Sequence, residues 1–489
     1  MNDHSSNDWL DGKARQAMID NGFEPGFSEE IKEQLASITT RDLIAESAGV
    51  KDLRHLEWSS IDNLTSRDLD QVEWAEKLAG GDIRMLVGIA DVDAAIERDS
   101  PIDRRAARNM VSVYTESEVF PMLPEELSTD LTSLNEGEDR LAIVADMIIK
   151  EDGDVPTATF YQAIVRNRVK LDYPSVGKWF DGEGPLPQVL ADKPNLIEQL
   201  KLQQSAAVSL HQYRLKKGAL EFESIESEAV FDEADVKEIR SVKPNSAKRL
   251  IENLMVTANV EMAEFIESHG VASIRRVVHD PERWGGIVKI AAEHGTALPA
   301  SPDRPALANF LESQRRAEPE SFPDLSLSII KLIGGGRYVV ERPGEDAGGH
   351  FGLAVDDYAH STAPNRRYTD LVIQRLVKSI ISGGPPAYTA DELDSIAEQA
   401  NDREKAARKV ERKMRKIVAA AVMKKHVGER FNAIVTGVND AGTFARILRP
   451  PVDGRIVRGE NGLSVGERVE VRLISANTSN GFIDFSLDR

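Results

Sequence analysis

Between Leu141 and Leu171 the chain reads LAIVADMIIKEDGDVPTATFYQAIVRNRVKL, two apolar runs separated by a polar cluster with Asp-Gly at its centre. Runs of this length and composition on either side of an Asp-Gly turn read as two paired strands. Upstream, MLVGIADVD reads as a buried strand, so a mixed sheet is predicted to begin in the region from 56 to about 185. From about 190 to 380 helical periodicity dominates, as in AKRLIENLMVTANVEMAEFIESHG, whose apolar residues recur at three and four and which stops at Gly270. A long helix is predicted over 390 to 425. Thr389 and Glu392 have the form of a capping box, and Leu393, Ile396, Ala400, Ala407, Val410, Met414, Ile417 and Ala421 share one face. The last 60 or so residues return to strand periodicity in RFNAIVTGVND, GTFARIL, GRIV, ERVEVRLISAN and GFIDFSL, five short strands that suit an OB barrel. The first 55 are polar and discontinuous, with short helical patterns such as FSEEIKEQLASI. The expected class is therefore α+β: a helical region over 1–55, a mixed sheet surrounded by helices over 56–425, and an OB-fold barrel over 426–489.

At 489 residues and 41% hydrophobic, the chain is long and apolar enough for a large core. It has no apolar run of membrane-spanning length and its start, MNDHSSNDWLDG, lacks a basic and apolar leader pattern, so a soluble, cytoplasmic protein without a membrane partner is expected. The absence of cysteine excludes disulfides, thiolate zinc sites and cysteine nucleophiles, and leaves oxygen or histidine ligands for any metal. Lys and Arg total 61 against 81 Asp and Glu, a net charge of −20 that repels a polyanion unless basic residues are gathered locally. One segment gathers them: Arg403, Lys405, Arg408, Lys409, Arg412, Lys413, Arg415, Lys416, Lys424 and Lys425. It reads equally as a solvated helix face or as a stripe that contacts phosphates.

The stretch IDNLTSRDLDQ sets Asp62, Asp68 and Asp70 within nine residues without a lysine among them. In an extended or looping chain Asp68 and Asp70 point to one side, and Asp62 returns to meet them. Such a cluster is either a polar loop or a cage for magnesium or manganese, the arrangement that metal-assisted phosphoryl chemistry requires. Further along, in YAHSTAPNRRYTD, Thr362 is placed to cap a helix opened by Pro364, with Arg366 and Arg367 in its first turn. Arginines there oppose the helix dipole, which suggests a bound phosphate; a salt bridge from Arg366 to Asp370 is the alternative. His360 reads as a hydrogen-bonded structural residue and Gly334-Gly-Gly336 as a turn.

In order along the chain, IDNLTSRDLDQ, IADVD, SVYTESEVFPMLPEELSTDLTSLNEGEDRLAIV and HFGLAVDDYAHSTAPNRRYTDLVIQRL resemble the successive signatures of the ribonuclease II/R (RNB) family, from about 56 to 425. The terminal barrel resembles the S1-type domain that ends many members. The resemblance implies a magnesium-dependent hydrolase that removes nucleoside 5′-monophosphates from the 3′ end of single-stranded RNA, acting as a monomer. By position it makes Asp62, Asp68 and Asp70 the catalytic acidic cluster, with Gln71 beside them at the metal, and Arg366 the residue that steadies the scissile phosphate. It assigns RNA contacts to Tyr114 and Phe222 as stacking aromatics, and to Tyr173, Glu252, Arg367, Tyr368 and Glu411.

Two departures stand out. Gln71 occupies a position where the family usually has a further aspartate, and about 55 helical residues stand where typical members carry two cold-shock domains. The first leaves open a catalytically weakened or inactive RNA-binding protein as the alternative function.

Overall fold

The computed structural model describes residues 8–46, 49–223, 226–232, 235–242, 245–319, 321–440 and 442–487. Residues 1–7 of the amino-terminal region lie outside these. Three short helices, α1 (Asp8–Asp20), α2 (Glu29–Ala36) and α3 (Thr40–Glu46), lead into the strands β1 (Lys51–Asp52), β2 (Trp58–Asp62), β3 (Gln71–Lys77) and β4 (Ile83–Ala90). Helix α4 (Pro101–Asn109) and a small hairpin, β5 (Val113–Tyr114) with β6 (Val119–Phe120), precede the long strands β7 (Asp139–Ile149) and β8 (Thr157–Asp172). The sheet runs β1-β8-β2-β3-β4-β7. The expected pair closes it: β7 and β8 are antiparallel from Asp139 opposite Arg166 to Ile148 opposite Thr157.

Strand β8 is long enough to serve three neighbours, the shortest being β1, which lies parallel to Ala163 and Ile164. Its first half pairs with β7, and its second, Asn167 to Asp172, lies parallel to β2, so the sheet curls back on itself. Period-two patterning explains why it can. Ala163, Val165, Asn167, Val169 and Leu171 are buried, while the residues between them are half-exposed. The buried asparagine is satisfied, donating from Nδ2 to Ser60 Oγ (2.9 Å) and to the Leu134 carbonyl (3.0 Å).

Helices α5 (Tyr173–Phe180), α6 (Pro194–Lys216) and α7 (Ser246–Ser268) pack beside the sheet. A hairpin, β9 (Glu226–Asp232) with β10 (Asp235–Val242), separates α6 from α7. This hairpin, and the pair β11 (Ser273–Val277) with β12 (Arg337–Glu341), interrupt the region whose sequence reads as helical. Helices α8 (Trp284–Glu293), α9 (Arg304–Ala317) and α10 (Phe322–Ile333) form a satellite core. Helix α11 (Tyr368–Ile381) is tied to the end of β4 by Arg375, which donates to Asp93 (2.7 Å) and the Ile96 carbonyl (2.9 Å) and pairs with Asp103 (2.8 Å).

Helix α12 (Ala390–Met423) starts at the predicted capping box, with Thr389 and Glu392 bonded reciprocally. Its 34 residues span about 50 Å. Its apolar stripe packs first against the main body, then against α1, and its last residues Ala419, Ala420 and Met423 join the core of the terminal barrel. That barrel closes β13 (Arg430–Asn439), β14 (Gly442–Leu448), β15 (Pro451–Arg458), β16 (Arg468–Asn477) and β17 (Phe482–Ser486), the five strands read from the sequence. Among the described residues no helix is long and apolar enough to cross a membrane.

Candidate active site

Asp62 ends β2, and a short loop carries Asp68 and Asp70 to the first residue of β3, Gln71. The loop is pinned by Leu69, which is 1% exposed. Its amide donates to Ser133 Oγ (3.0 Å) and its carbonyl accepts from the Leu134 amide (3.0 Å). With Leu69 held inward, its neighbours Asp68 and Asp70 emerge on the opposite side. Asp62 Oδ1 accepts from the Asn63 amide (2.6 Å) and from Ser66 Oγ (2.9 Å), which turns the start of the loop.

All four residues line one cleft of about 510 Å³ together with Tyr114, Tyr173, Glu252 and Arg366, each expected there from the sequence. Asn63, Ser66, Lys248, Ile251, Met255 and Thr362 complete its wall. Asp70 is 4% exposed. Its Oδ1 accepts from Asn365 Nδ2 (3.0 Å), and its Oδ2 lies 3.6 Å from Arg366 Nε. Asn365 is itself oriented by Thr132 Oγ1, which donates to Asn365 Oδ1 (2.8 Å). Burial pushes the Asp70 carboxyl up to about 7; Arg366 opposes the shift and Asp68 adds to it. Asp68 is raised for the same chief reason, with Arg366 again opposing and Asp62 adding. These crowded oxygens favour a proton or a cation over bare charge.

The arginine segment departs from its expected form. The chain from Ala363 to Arg367 is a turn, and α11 starts only at Tyr368. Asp370 explains this: it accepts from the Ala363 amide (2.9 Å) and takes both arms of Arg367, at 2.8 and 2.7 Å. The structural salt bridge therefore belongs to Arg367 rather than Arg366, and Arg366, half-exposed, is left to face the cleft. Arg367 and Tyr368, both expected at RNA, lie outside the cleft lining. Tyr368 is buried and donates to Asp103 Oδ2 (3.3 Å).

Phe222 is also elsewhere, half-buried against the satellite core of α8, α9 and α10. Glu411, on α12, reaches the site indirectly by accepting the Tyr114 amide (3.3 Å). Tyr114 itself, on the β5–β6 hairpin, is 43% exposed at the cleft mouth. His360 is half-buried and its Nδ1 meets the Tyr338 hydroxyl (2.8 Å), the structural role expected of it. A second acidic group, Glu267, Glu341 and Asp357, is occupied by the buried guanidinium of Arg275, 2.5 Å from Glu341 and 3.7 Å from each of the others.

Two residues at the site escaped the sequence reading. Asn365 sits inside the APNRRYTD stretch, yet only its bond to Asp70 reveals a part in the acidic cluster. Glu73, two residues past Gln71, is 0% exposed, and neither carboxylate oxygen has a hydrogen-bond partner among the described residues. Its signal was an acid at an inward position of β3, between Val72 and Trp74.

The RNB domain profile matches residues 50–383, and that of the RNase II-type exonuclease C-terminal S1 domain matches 429–488. Ribonuclease R of Vibrio cholerae is 31% identical over 498 aligned residues, which cover 94% of this chain and 59% of that protein. Ribonuclease R of Escherichia coli is 30% identical, with 94% of this chain and 60% of the relative covered. This chain thus spans about three fifths of the length of these curated relatives. The structure of Mycoplasma genitalium RNase R in complex with ribose-methylated single-stranded RNA shares the fold, with a TM-score of 0.87 over 98% of this chain and 78% of that one at 23% identity. On the match across its central two thirds, and on the ordered acidic and arginine motifs that meet in its cleft, the chain belongs to the RNB family.

Proposed function

We propose that this protein is a 3′-to-5′ exoribonuclease that hydrolyses single-stranded RNA to nucleoside 5′-monophosphates. The observation that carries this reading is the convergence of Asp62, Asp68, Asp70 and Arg366, from distant parts of the chain, on one cleft edged by Tyr114 and Tyr173. The donor set is all oxygen and partly buried, which fits a hard divalent cation. Asp62, Asp68 and Asp70, with the carbonyl oxygen of Gln71, would hold magnesium or manganese, whose chemistry when bound is to activate water and to stabilise the leaving oxygen.

The remaining parts are the protein's own. Arg366, steadied by Asp70 but half-exposed, offers its free guanidinium edge to a phosphate in the cleft, where charge that develops in the transition state is stabilised. Asn365 keeps the Asp70 carboxylate turned toward the cleft. Tyr114 presents a ring at the entrance, and stacking there is sequence-tolerant because every base has a π face. Along α12, Lys409, Arg412 and Lys416 are exposed and supply a basic approach despite the negative net charge.

The test is a 5′-labelled single-stranded RNA incubated with magnesium or manganese. Progressive 3′ shortening with release of nucleoside 5′-monophosphates is expected, and it should be abolished by Asp70→Asn. RNA left intact by the wild-type chain with both metals would sink the proposal. Gln71 favours a second reading, an RNA-binding protein without turnover. Tight 3′-end-dependent binding without hydrolysis, unrescued by Gln71→Asp, would select it.

A further inference from the structure

Glu73 is fully buried, and among the described residues neither of its carboxylate oxygens finds a hydrogen-bond partner. Burying a polar group without a partner is costly, more so when it is charged, so an unpaired one in a native structure calls for an explanation. Glu73 lies on β3 two positions from Gln71, hence on the same face of the sheet. Directly across the sheet from it stands Ser59, three residues before Asp62 on β2. Gln203 of α6 donates from Nε2 to Ser59 Oγ and to the Glu73 backbone carbonyl, both at 3.2 Å. Its own side-chain carbonyl oxygen is left without a partner, as are both oxygens of Glu73. Three buried side-chain oxygens therefore have no hydrogen-bond partner among the described residues. Glu73 is fully buried and is not itself part of the cleft lining, which on this strand reaches Gln71.

We propose that Glu73 is an acidic ligand of the metal site, supplying from two residues along β3 the carboxylate that Gln71 lacks. This rests on the metal-dependent reading above. Glutamate is one methylene longer than aspartate, which suits a ligand set further back on the strand. A cation satisfies acceptors that have no donor, and it turns a buried carboxylate from a liability into a bond.

The test uses the full chain and manganese alone, without RNA. Binding is followed from the electron paramagnetic resonance signal of free Mn²⁺, and thermal melting is recorded in chelator and in Mn²⁺. The isosteric Glu73→Gln should weaken Mn²⁺ binding about 10-fold or more. It should shrink the Mn²⁺-induced rise in Tm without lowering the Tm in chelator, and Gln71→Asp in the same chain should restore binding. Unchanged Mn²⁺ affinity in Glu73→Gln overturns the proposal. Should Glu73→Gln fail to fold, Gln71→Asp alone decides: little gain in affinity is expected where Glu73 already serves, and about a 10-fold gain overturns the assignment. The two proposals fail separately. RNA hydrolysis with Glu73-independent metal binding removes Glu73 and leaves the nuclease, whereas Glu73-dependent binding without hydrolysis removes the nuclease and leaves Glu73.

Discussion

Asp70 takes its properties from three neighbours that no local pattern predicts together: Asn365 at 3.0 Å, Arg366 at 3.6 Å and Asp68 on its own loop. Replacing Asn365 by Ala removes the bond that orients the carboxylate. Turnover of single-stranded RNA should fall about 10–100-fold with little change in KM, as measured by single-turnover and steady-state release of mononucleotides. The raised proton affinity of Asp70 has a definite sign. In the metal-free protein its folded-state value of about 7 lies above the ordinary 3.8, so the folded state binds the extra proton. Asp70 therefore lowers stability as pH rises through that interval. A metal competes with the same proton, so Mn²⁺ affinity should climb from pH 5 to about 7 and level off above it. Calorimetric titrations across this range check it, and a flat profile would contradict it.

At the scale of elements, α1 and α12 together explain how the aromatic at the cleft mouth is held. Leu10, Ala14, Ala17 and Met18 of α1 share one apolar cluster with Val113 and Phe120 of the Tyr114 hairpin and with Val410, Met414 and Ile417 of α12. Arg15 pairs with Glu118 at the hairpin's far side, and Glu411 holds its near side through the Tyr114 amide. The same packing divides the basic stripe. Arg403 donates to the Gly22 carbonyl (2.7 Å), Lys413 lies 3.6 Å from Asp20, and Arg415 lies 3.6 Å from Glu116. Lys409, Arg412 and Lys416 remain exposed. Reversing those three to Glu should weaken RNA binding and flatten its dependence on salt, whereas reversing Lys413 alone should act mainly on stability. Binding isotherms over a salt series separate the two.

For the whole molecule, the barrel is set relative to the cleft by the end of α12. Ala419, Ala420 and Met423 enter the barrel core, and the β16–β17 turn closes onto the helix at Gly481. That glycine has φ of +74°, and a Cβ there would come 2.7 Å from the Lys416 backbone carbonyl carbon. Gly481→Ala should therefore loosen the barrel from α12 without unfolding either, because both conformation and contact are violated at one seam. Limited proteolysis should then cut between Met423 and Arg430, and RNA affinity should drop while the cleft keeps its metal affinity.

Much of this architecture is written locally. A continuous apolar run marks β7 and period-two alternation marks β8 and most barrel strands, the capping box at Thr389 starts α12, and the spacing of Asp62, Asp68 and Asp70 around inward Leu69 makes a shared face. The family motifs brought Arg366, Tyr114, Tyr173 and Glu252 to the same site, and the cleft holds all four. What tertiary structure alone decided is which charged or aromatic side chain meets solvent and which meets a partner. Asp370 claimed Arg367 and left Arg366 to the cleft beside Asp70, Asp103 took the Tyr368 hydroxyl, the satellite helices took Phe222, and among the described residues nothing paired with the Glu73 carboxylate. Those outcomes depend on burial and on groups far away in the chain, and a side chain's chemistry at a site is set by that surrounding field rather than by its neighbours in sequence.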